Sequence, residues 1–162
     1  MRHIGSSNFS AQQIEEAERI SREGGLTRFV AAQNEYSLVE RRIEDDVLPV
    51  CERLGIGMLP YFPLASGLLT GKYAKGEPAP EGTRLAGREL AEADLDTVDR
   101  LREFAERHGV SLLDVAIGGL AAVDGVASVI AGATKPEQVR ANAAAGAWEP
   151  TAEQLAELRL LL

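Results

Sequence analysis

Tyr61-Phe62-Pro63-Leu64-Ala65-Ser66-Gly67-Leu68-Leu69-Thr70-Gly71-Lys72-Tyr73 is the stretch whose reading decides the fold. It starts as the end of an apolar run, Gly57-Met58-Leu59-Pro60-Tyr61, bounded by Gly55 and Pro63. A short apolar run between such residues reads as a buried strand. The stretch then opens into a loop of small residues, hydroxyls and a lysine. An aromatic ring at a strand end can stack on a flat heterocycle, while loop amides, hydroxyls and a lysine can hold phosphates. Aromatic residues at strand ends are more often core, so the surrounding chain has to decide.

Upstream, Ile4-Gly5-Ser6-Ser7 reads as a strand leading to Asn8-Phe9-Ser10. Ser10 and Gln13 have capping-box spacing for a helix from Ala11 to Arg22, with Ala11, Ile14, Ala17 and Ile20 as its apolar stripe. Gly24-Gly25 stops it. Phe29-Val30-Ala31-Ala32-Gln33 is a second strand. A helix from Arg41 to Leu54 follows, striped by Ile43, Val47, Val50 and Leu54 with Cys51 alongside. The strand at Gly57–Tyr61 comes next. Alternating strands and helices, with strands that are nearly all apolar, build a parallel sheet covered on both faces.

Downstream, residues 74–89 carry Gly76, Pro78, Pro80, Gly82 and Gly87 and read as a long, mobile loop. Leu95, Val98, Leu101, Phe104 and Ala105 stripe a helix that stops near Gly109. Ser111 and Asp114 cap another, weakened in its middle by Gly118-Gly119. Val126 to Ala131 reads as a fourth strand. A helix begins near Lys135 with Thr134 and Glu137 in capping spacing, Pro136 in its first turn, and Val139, Ala143 and Ala144 lining it. A last helix runs from Thr151 to about Leu162, with Thr151 and Gln154 as its capping box.

The 162 residues fit a single domain, 1–162, able to bury a sizeable core. A net charge of −8, with the acids dispersed, argues against nucleic acid or an anionic membrane as a partner. Cys51 is the only cysteine, which excludes an internal disulfide and fits a reducing, cytoplasmic compartment. Met1-Arg2-His3-Ile4 has none of the features of a signal peptide, and no apolar run approaches membrane-spanning length. No His/Cys/Asp/Glu grouping has metal-ligand spacing.

Ligands bind at the C-terminal ends of the strands in parallel α/β architectures. Four such ends here present Ser7-Asn8, Gln33-Asn34, Tyr61 with its loop, and Gly132-Ala133-Thr134-Lys135. The last lies at a helix N-terminus, suited to an anion.

These blocks resemble the C-terminal half of the aldo-keto reductase family. The resemblance rests on Ile4 to Ser10, Gln33 to Ser37, Pro63 to Tyr73, and Ile130 to Val139 with Asn142, in family order over nearly the whole chain. It implies an α/β fold, a partial TIM (β/α)8 barrel of about four βα units with a C-terminal helix. It also implies NADPH as cofactor and a small carbonyl compound, aldehyde or ketone, as substrate. By the same resemblance Ser7, Asn8 and Gln33 would hold the nicotinamide carboxamide, and Tyr61 would stack on the ring. Phe62, Pro63, Leu64, Ala65 and Ser66 would wrap the pyrophosphate with Lys72 nearby. Gly132, Thr134 and Gln138 would surround the 2′-phosphate, and Asn142 would meet the adenine. Lys135 adds charge there by its position. Ala141 stands where the family often has an acid.

The family's catalytic Asp, Tyr, Lys and His lie on the first four strands, whereas this chain resembles strands five to eight. None of the four carries over, and the expected reading is a truncated, cofactor-binding half that is inactive alone. His3 precedes a strand, on the side away from the binding edge. His108 ends a helix at its negative pole as a surface residue. Tyr36 and Tyr73 have no family acid role, and Cys51 has no paired histidine. Four strands cannot close a barrel, so the alternative is a nucleotide-binding or regulatory half-barrel that self-associates or pairs with a complementary half.

Overall fold

β1 (Ile4–Ser7), β2 (Phe29–Gln33) and β3 (Gly57–Met58) pair in parallel in the order β1-β2-β3. The structure is a computed structural model describing residues 1–88 and 90–162. Ala32 pairs with both Ser6 and Met58. All three are buried, and Ala32 and Met58 join the core that holds Ile14 and Cys51. On the other face the neighbouring positions are small: Gly5 and Ser7 are exposed, and Ala31 and Gly57 are half-buried. A Cβ on Gly57 would stand 2.8 Å from the Ala127 Cβ, so the bare backbone there admits the next segment of chain.

That segment is Val126–Ala131, expected as a fourth strand. It runs alongside β3 but forms only two isolated parallel bridges, Met58 to Val126 and Tyr61 to Ile130. The Met58 amide donates to Gly125, the Ala127 amide to Met58, and the Ile130 amide to Pro60. The missing rung is Pro60, which has no N–H to give. The expected four-strand half-barrel is therefore a three-stranded sheet with a bridged fourth segment.

α1 (Ala11–Glu23) has the expected capping box, with the Ser10 hydroxyl and the Gln13 side chain each accepting from the other residue's amide. Its buried face is set by Ile14 and Glu18, whereas Ile20, expected in the stripe, is 47% exposed. Glu18 is buried because two cations cover it: Arg28 Nε lies 2.7 Å from Oε2, and Arg22 holds the other oxygen. Arg28 also reaches the Leu54 carbonyl at 3.1 Å, tying α1 to α2 (Val47–Leu54). The Arg28 hydrogen bond holds the Glu18 carboxyl below its ordinary value, against the opposing pull of burial. A depressed folded pKa gives stability that is present at neutral pH and lost as pH falls through that value. Glu18→Gln is thus expected to be less stable at pH 7 and to lose less on acidification. Acid unfolding followed by the fluorescence of Trp148, the single tryptophan, checks this. Parallel curves for the two proteins would refute it.

The helix expected over Arg41 to Leu54 is two pieces, a 3-10 turn at Arg42–Glu44 and α2. Pro49 explains the break. A proline ring collides with the carbonyl four residues back and is tolerated only in a first turn. The helix therefore restarts at Val47, where the Asp46 carboxylate accepts the first amide at 2.6 Å. Gly55, at φ +67°, ends it. Cys51 is fully buried, and burial pushes its thiol up to about 11.

Of the expected loop 74–89, Glu89 lies outside the described residues. The rest has neither helix nor strand, and Leu85 anchors it in the core. α3 (Glu92–His108) buries all five expected stripe residues and ends at Gly109, φ +66°. α4 (Leu112–Asp114), capped by Ser111 and Asp114, runs into a π segment, Val115–Gly119. The glycine pair is not a weak point here. A Cβ on Gly118 would stand 2.8 Å from the carbonyl oxygens of both Ala145 and Trp148.

α5 (Pro136–Ala145) starts where expected but is capped differently. Lys135 is its N-cap without a side-chain hydrogen bond, and Gln138 rather than Glu137 engages Thr134. Val139, Ala143 and Ala144, expected to line it, are exposed, and Ala145 is its buried residue. α6 (Ala152–Leu161) has the expected box of Thr151 and Gln154. Among the described residues no helix is long and apolar enough to cross a membrane.

Candidate functional site

Every non-glycine residue with positive φ among the described residues follows the C-terminal end of a strand: Asn8 at 56°, Phe62 at 57°, Ala65 at 44° and Ser66 at 57°. A side chain in the left-handed region is strained by about 1–2 kcal/mol, and such residues persist where surrounding structure fixes them. Asn8 follows β1, and the other three follow β3. The strain is thus concentrated at one edge of the sheet.

At that edge Ser7 pairs in register with Gln33, and the Asn8 amide donates to the Gln33 carbonyl at 2.9 Å. Asn8 Nδ2 donates to Ser7 Oγ at 3.4 Å. Next to them Asn34 donates through Nδ2 to the Phe9 carbonyl at 3.2 Å, while its buried Oδ1 has no hydrogen-bond partner. Tyr61 is fixed through its backbone. Its amide donates to the Asn34 carbonyl at 3.0 Å, and its carbonyl accepts from Tyr36 at 3.2 Å. Its hydroxyl donates to Asn8 Oδ1 at 2.9 Å. The Phe62 ring meets the Tyr61 ring edge-on at 5.2 Å.

The loop after Tyr61 turns tightly through a 3-10 segment, Ala65–Thr70, pinned by buried Leu68 and Leu69. Gly67 takes φ +100° and has no Cβ, which lets the Lys72 ammonium lie against it. A Cβ there would come within 3.2 Å of Lys72 Nζ. Thr70 Oγ1 donates to the Gly67 carbonyl at 2.6 Å.

At the head of α5, Gln138 Oε1 accepts from the Thr134 amide at 2.8 Å and from its hydroxyl at 3.2 Å. With its oxygen engaged, what the Gln138 side chain has left for a ligand is its NH2 group.

One cleft of about 540 Å³ gathers these pieces, lined by Tyr61, Phe62, Pro63, Leu64, Ser66, Lys72, Gly132, Thr134 and Gln138. Its size is that of a small-molecule site. Ser7, Asn8 and Gln33 adjoin it through the Tyr61–Asn8 hydrogen bond, and Ala65 lies in the loop that forms its wall. Lys135 is exposed at the head of α5. Asn142 does not reach the cleft. It lines a neighbouring cavity of about 430 Å³ with Val139 and Ala143.

Sequence reasoning missed one wall altogether. Gly82, Thr83 and Arg84 also line the cleft, with Gly67, Thr70 and Ile130. Arg84 gives the cleft a second cation besides Lys72. The available signal was the loop's own length and the arginines it carries.

The other candidates for proton transfer lie elsewhere. Tyr36 is buried and donates to Glu44 Oε1 at 2.7 Å, and burial with that carboxylate raises its hydroxyl. Tyr73 is buried. His3 is exposed ahead of β1. His108 is not the plain surface residue expected: Nε2 lies 2.8 Å from Glu157 Oε2, Gln154 approaches Nδ1 at 3.3 Å, and Phe104 packs on the ring. It joins α3 to α6. Among the described residues no group of three or more His, Cys, Asp or Glu could hold a metal ion.

Comparison with known proteins gives a family match over residues 1–162, to the aldo/keto reductase family. The chain is 41% identical over 147 residues to a probable voltage-gated potassium channel subunit beta of Oryza sativa subsp. japonica, covering 85% of this chain and 44% of that protein. It is 32% identical over 149 residues to the L-glyceraldehyde 3-phosphate reductase of Escherichia coli (strain K12), covering 86% of this chain and 43% of that protein. It is 30% identical over 121 residues to the versiconal hemiacetal acetate reductase of Aspergillus parasiticus, covering 72% and 35%. The chain therefore spans less than half the length of these relatives.

Proposed function

The chain belongs to the aldo/keto reductase family, and on that footing we propose that it is the dinucleotide-holding portion of an NADPH-dependent reductase of aldehydes and ketones. The observation that carries this reading is that segments 61–72, 82–84 and 130–138 meet in one cleft beside the ends of β1 and β2. The relatives' names include both reductases and a channel subunit. What they share is the family, so the reading commits to the cofactor end.

The residues fit the group. A ring platform (Tyr61) bonds to Asn8, which adjoins Ser7 and Gln33, and three polar side chains at one strand edge suit a carboxamide. Amides of a strained, left-handed turn stand beside Lys72, with Arg84 lining the same cleft, suited to a pyrophosphate. Gly132, Thr134 and Gln138 lie farther along, where the NH2 of Gln138 and the charge of Lys135 suit a 2′-phosphate. Asn142 is assigned to the adenine, and α5 must turn its Asn142 face toward the cleft for that contact. When bound, the cofactor supplies the hydride for a carbonyl carbon. This chain's residues bind and orient it: Tyr61 presents one face of the ring, and the loop wall of Phe62 to Ser66 shields the phosphates from water.

No residue of this chain is assigned as proton donor to the carbonyl oxygen. Tyr61 is the only tyrosine lining the cleft among the described residues, and its hydroxyl already donates to Asn8. The expected outcome is that the purified chain quenches on NADPH titration but does not reduce 4-nitrobenzaldehyde. Turnover would overturn the assignment of roles, and failure to bind NADPH would overturn the reading itself.

One set of observations favours a second reading. Val30, Phe62, Ile130 and Val139 are 45%, 48%, 42% and 57% exposed. Apolar side chains left open in this way suit an assembled half-barrel, formed with a second copy or a complementary chain. In that reading a dimer by light scattering accompanies NADPH binding.

A further inference from the structure

Tyr61 and Asn8 follow the two outer strands, β3 and β1, with the end of β2 between them. The hydroxyl of Tyr61 spans that gap to reach Asn8 Oδ1 at 2.9 Å, a contact between residues 53 positions apart. Both partners are held independently of this bond. Tyr61 is tied by its amide to Asn34 and by its carbonyl to Tyr36, and Phe62 stands edge-on beside its ring. Asn8 is held at φ 56° with its amide on the Gln33 carbonyl.

An asparagine side chain has one acceptor and one donor group, and in isolation it can turn over. Here the acceptor is occupied by the tyrosine hydroxyl, and the NH2 group is turned toward Ser7 Oγ at 3.4 Å. Reversing the amide would set Oδ1 against the Ser7 hydroxyl and Nδ2 against the Tyr61 oxygen, and a phenol is a poorer acceptor and a better donor than an aliphatic hydroxyl.

We infer that the Tyr61 hydroxyl is a positioning group: it locks the Asn8 amide so that the sheet edge offers a donor, Nδ2, to the carbonyl oxygen of a ligand's primary carboxamide. The inference rests on reading the cleft as a nicotinamide dinucleotide site. It gives Tyr61 two separable parts, a ring that serves as platform and a hydroxyl that acts through Asn8. Phenylalanine at this position keeps the first and loses the second.

The test compares two ligands that share the phosphate end. NADPH carries the carboxamide, whereas 2′-phospho-ADP-ribose lacks the nicotinamide ring. Tyr61→Phe is expected to weaken NADPH binding roughly three- to tenfold, the range of one hydrogen bond, and to leave 2′-phospho-ADP-ribose unchanged. Asn8→Asp keeps an acceptor for the tyrosine but removes the donor, and it is expected to show the same split with a loss at least as large. Unchanged 2′-phospho-ADP-ribose binding also certifies that each variant is folded. Tyr61→Phe binding NADPH as tightly as the parent overturns the inference, as does an equal loss for both ligands. If the parent protein binds neither, the reading of the cleft fails first, and the inference with it.

Discussion

Replacing Lys72 and Arg84 together with glutamine is expected to weaken NADPH binding by about a hundredfold, with each single change near tenfold. Lys72 lies against Gly67, and Arg84 lines the same cleft from the 74–89 loop. Both are exposed, so each charge-assisted bond to a phosphate is set at the low end of its range, about 1.5 kcal/mol. The protein as a whole carries −8, and an anionic ligand approaching it meets net repulsion that these two cations offset locally. Salt supplies an internal control. Screening should weaken the parent's affinity as ionic strength rises and should affect the double variant far less. Isothermal titration at two salt concentrations reads both effects. A double variant within about twofold of the parent would remove the phosphates from this end of the cleft.

The second large effect is on stability. Gly118→Val is expected to destabilise the fold by about 3 kcal/mol or more. Its first added carbon falls 2.8 Å from two carbonyl oxygens, those of Ala145 and Trp148, and 3.1 Å from the Trp148 Cβ. Backbone cannot step aside as the tip of a flexible side chain can, and overpacking of this kind commonly costs about 1–3 kcal/mol, occasionally more. The branched residue adds a second conflict inside a π segment. The clash should push residues 145–148 outward and loosen α6 from the body. Denaturant unfolding gives the loss, and the emission of Trp148 reports the displacement directly. A midpoint close to the parent's would show that the C-terminal segment is not packed on this glycine.

Local chemistry was legible, and long-range placement was not. The boxes at Ser10 with Gln13, Ser111 with Asp114 and Thr151 with Gln154 need only residues three apart, and all three formed. The stripe of α3 is likewise a property of one helix. Two errors came from giving a proline too little weight. Pro60 removes a rung from the expected fourth strand, and Pro49 divides the expected helix over Arg41 to Leu54. Gly118 was judged by its helix propensity, when what decides it is distant backbone, that of Ala145 and Trp148. The expectation for Val139 and Ala143 assumed a covered α5, and the structure leaves that face open. In the cleft, the strand-end residues were found because parallel sheets gather ligands there. Arg84 was missed because nothing in its neighbours fixes where a long loop lands. The Tyr61–Asn8 bond joins positions whose meeting depends on three strands lying in order.

The four left-handed residues, Asn8, Phe62, Ala65 and Ser66, bear on how this protein would respond to selection. Glycine at any of them would relieve backbone strain, so a screen for heat resistance alone would be drawn to them. Those same substitutions would strip away the asparagine amide and soften the turn at the mouth of the cleft. Thermal robustness and ligand grip therefore pull in opposite directions at these sites, and lineages that keep side chains there reveal which of the two was selected.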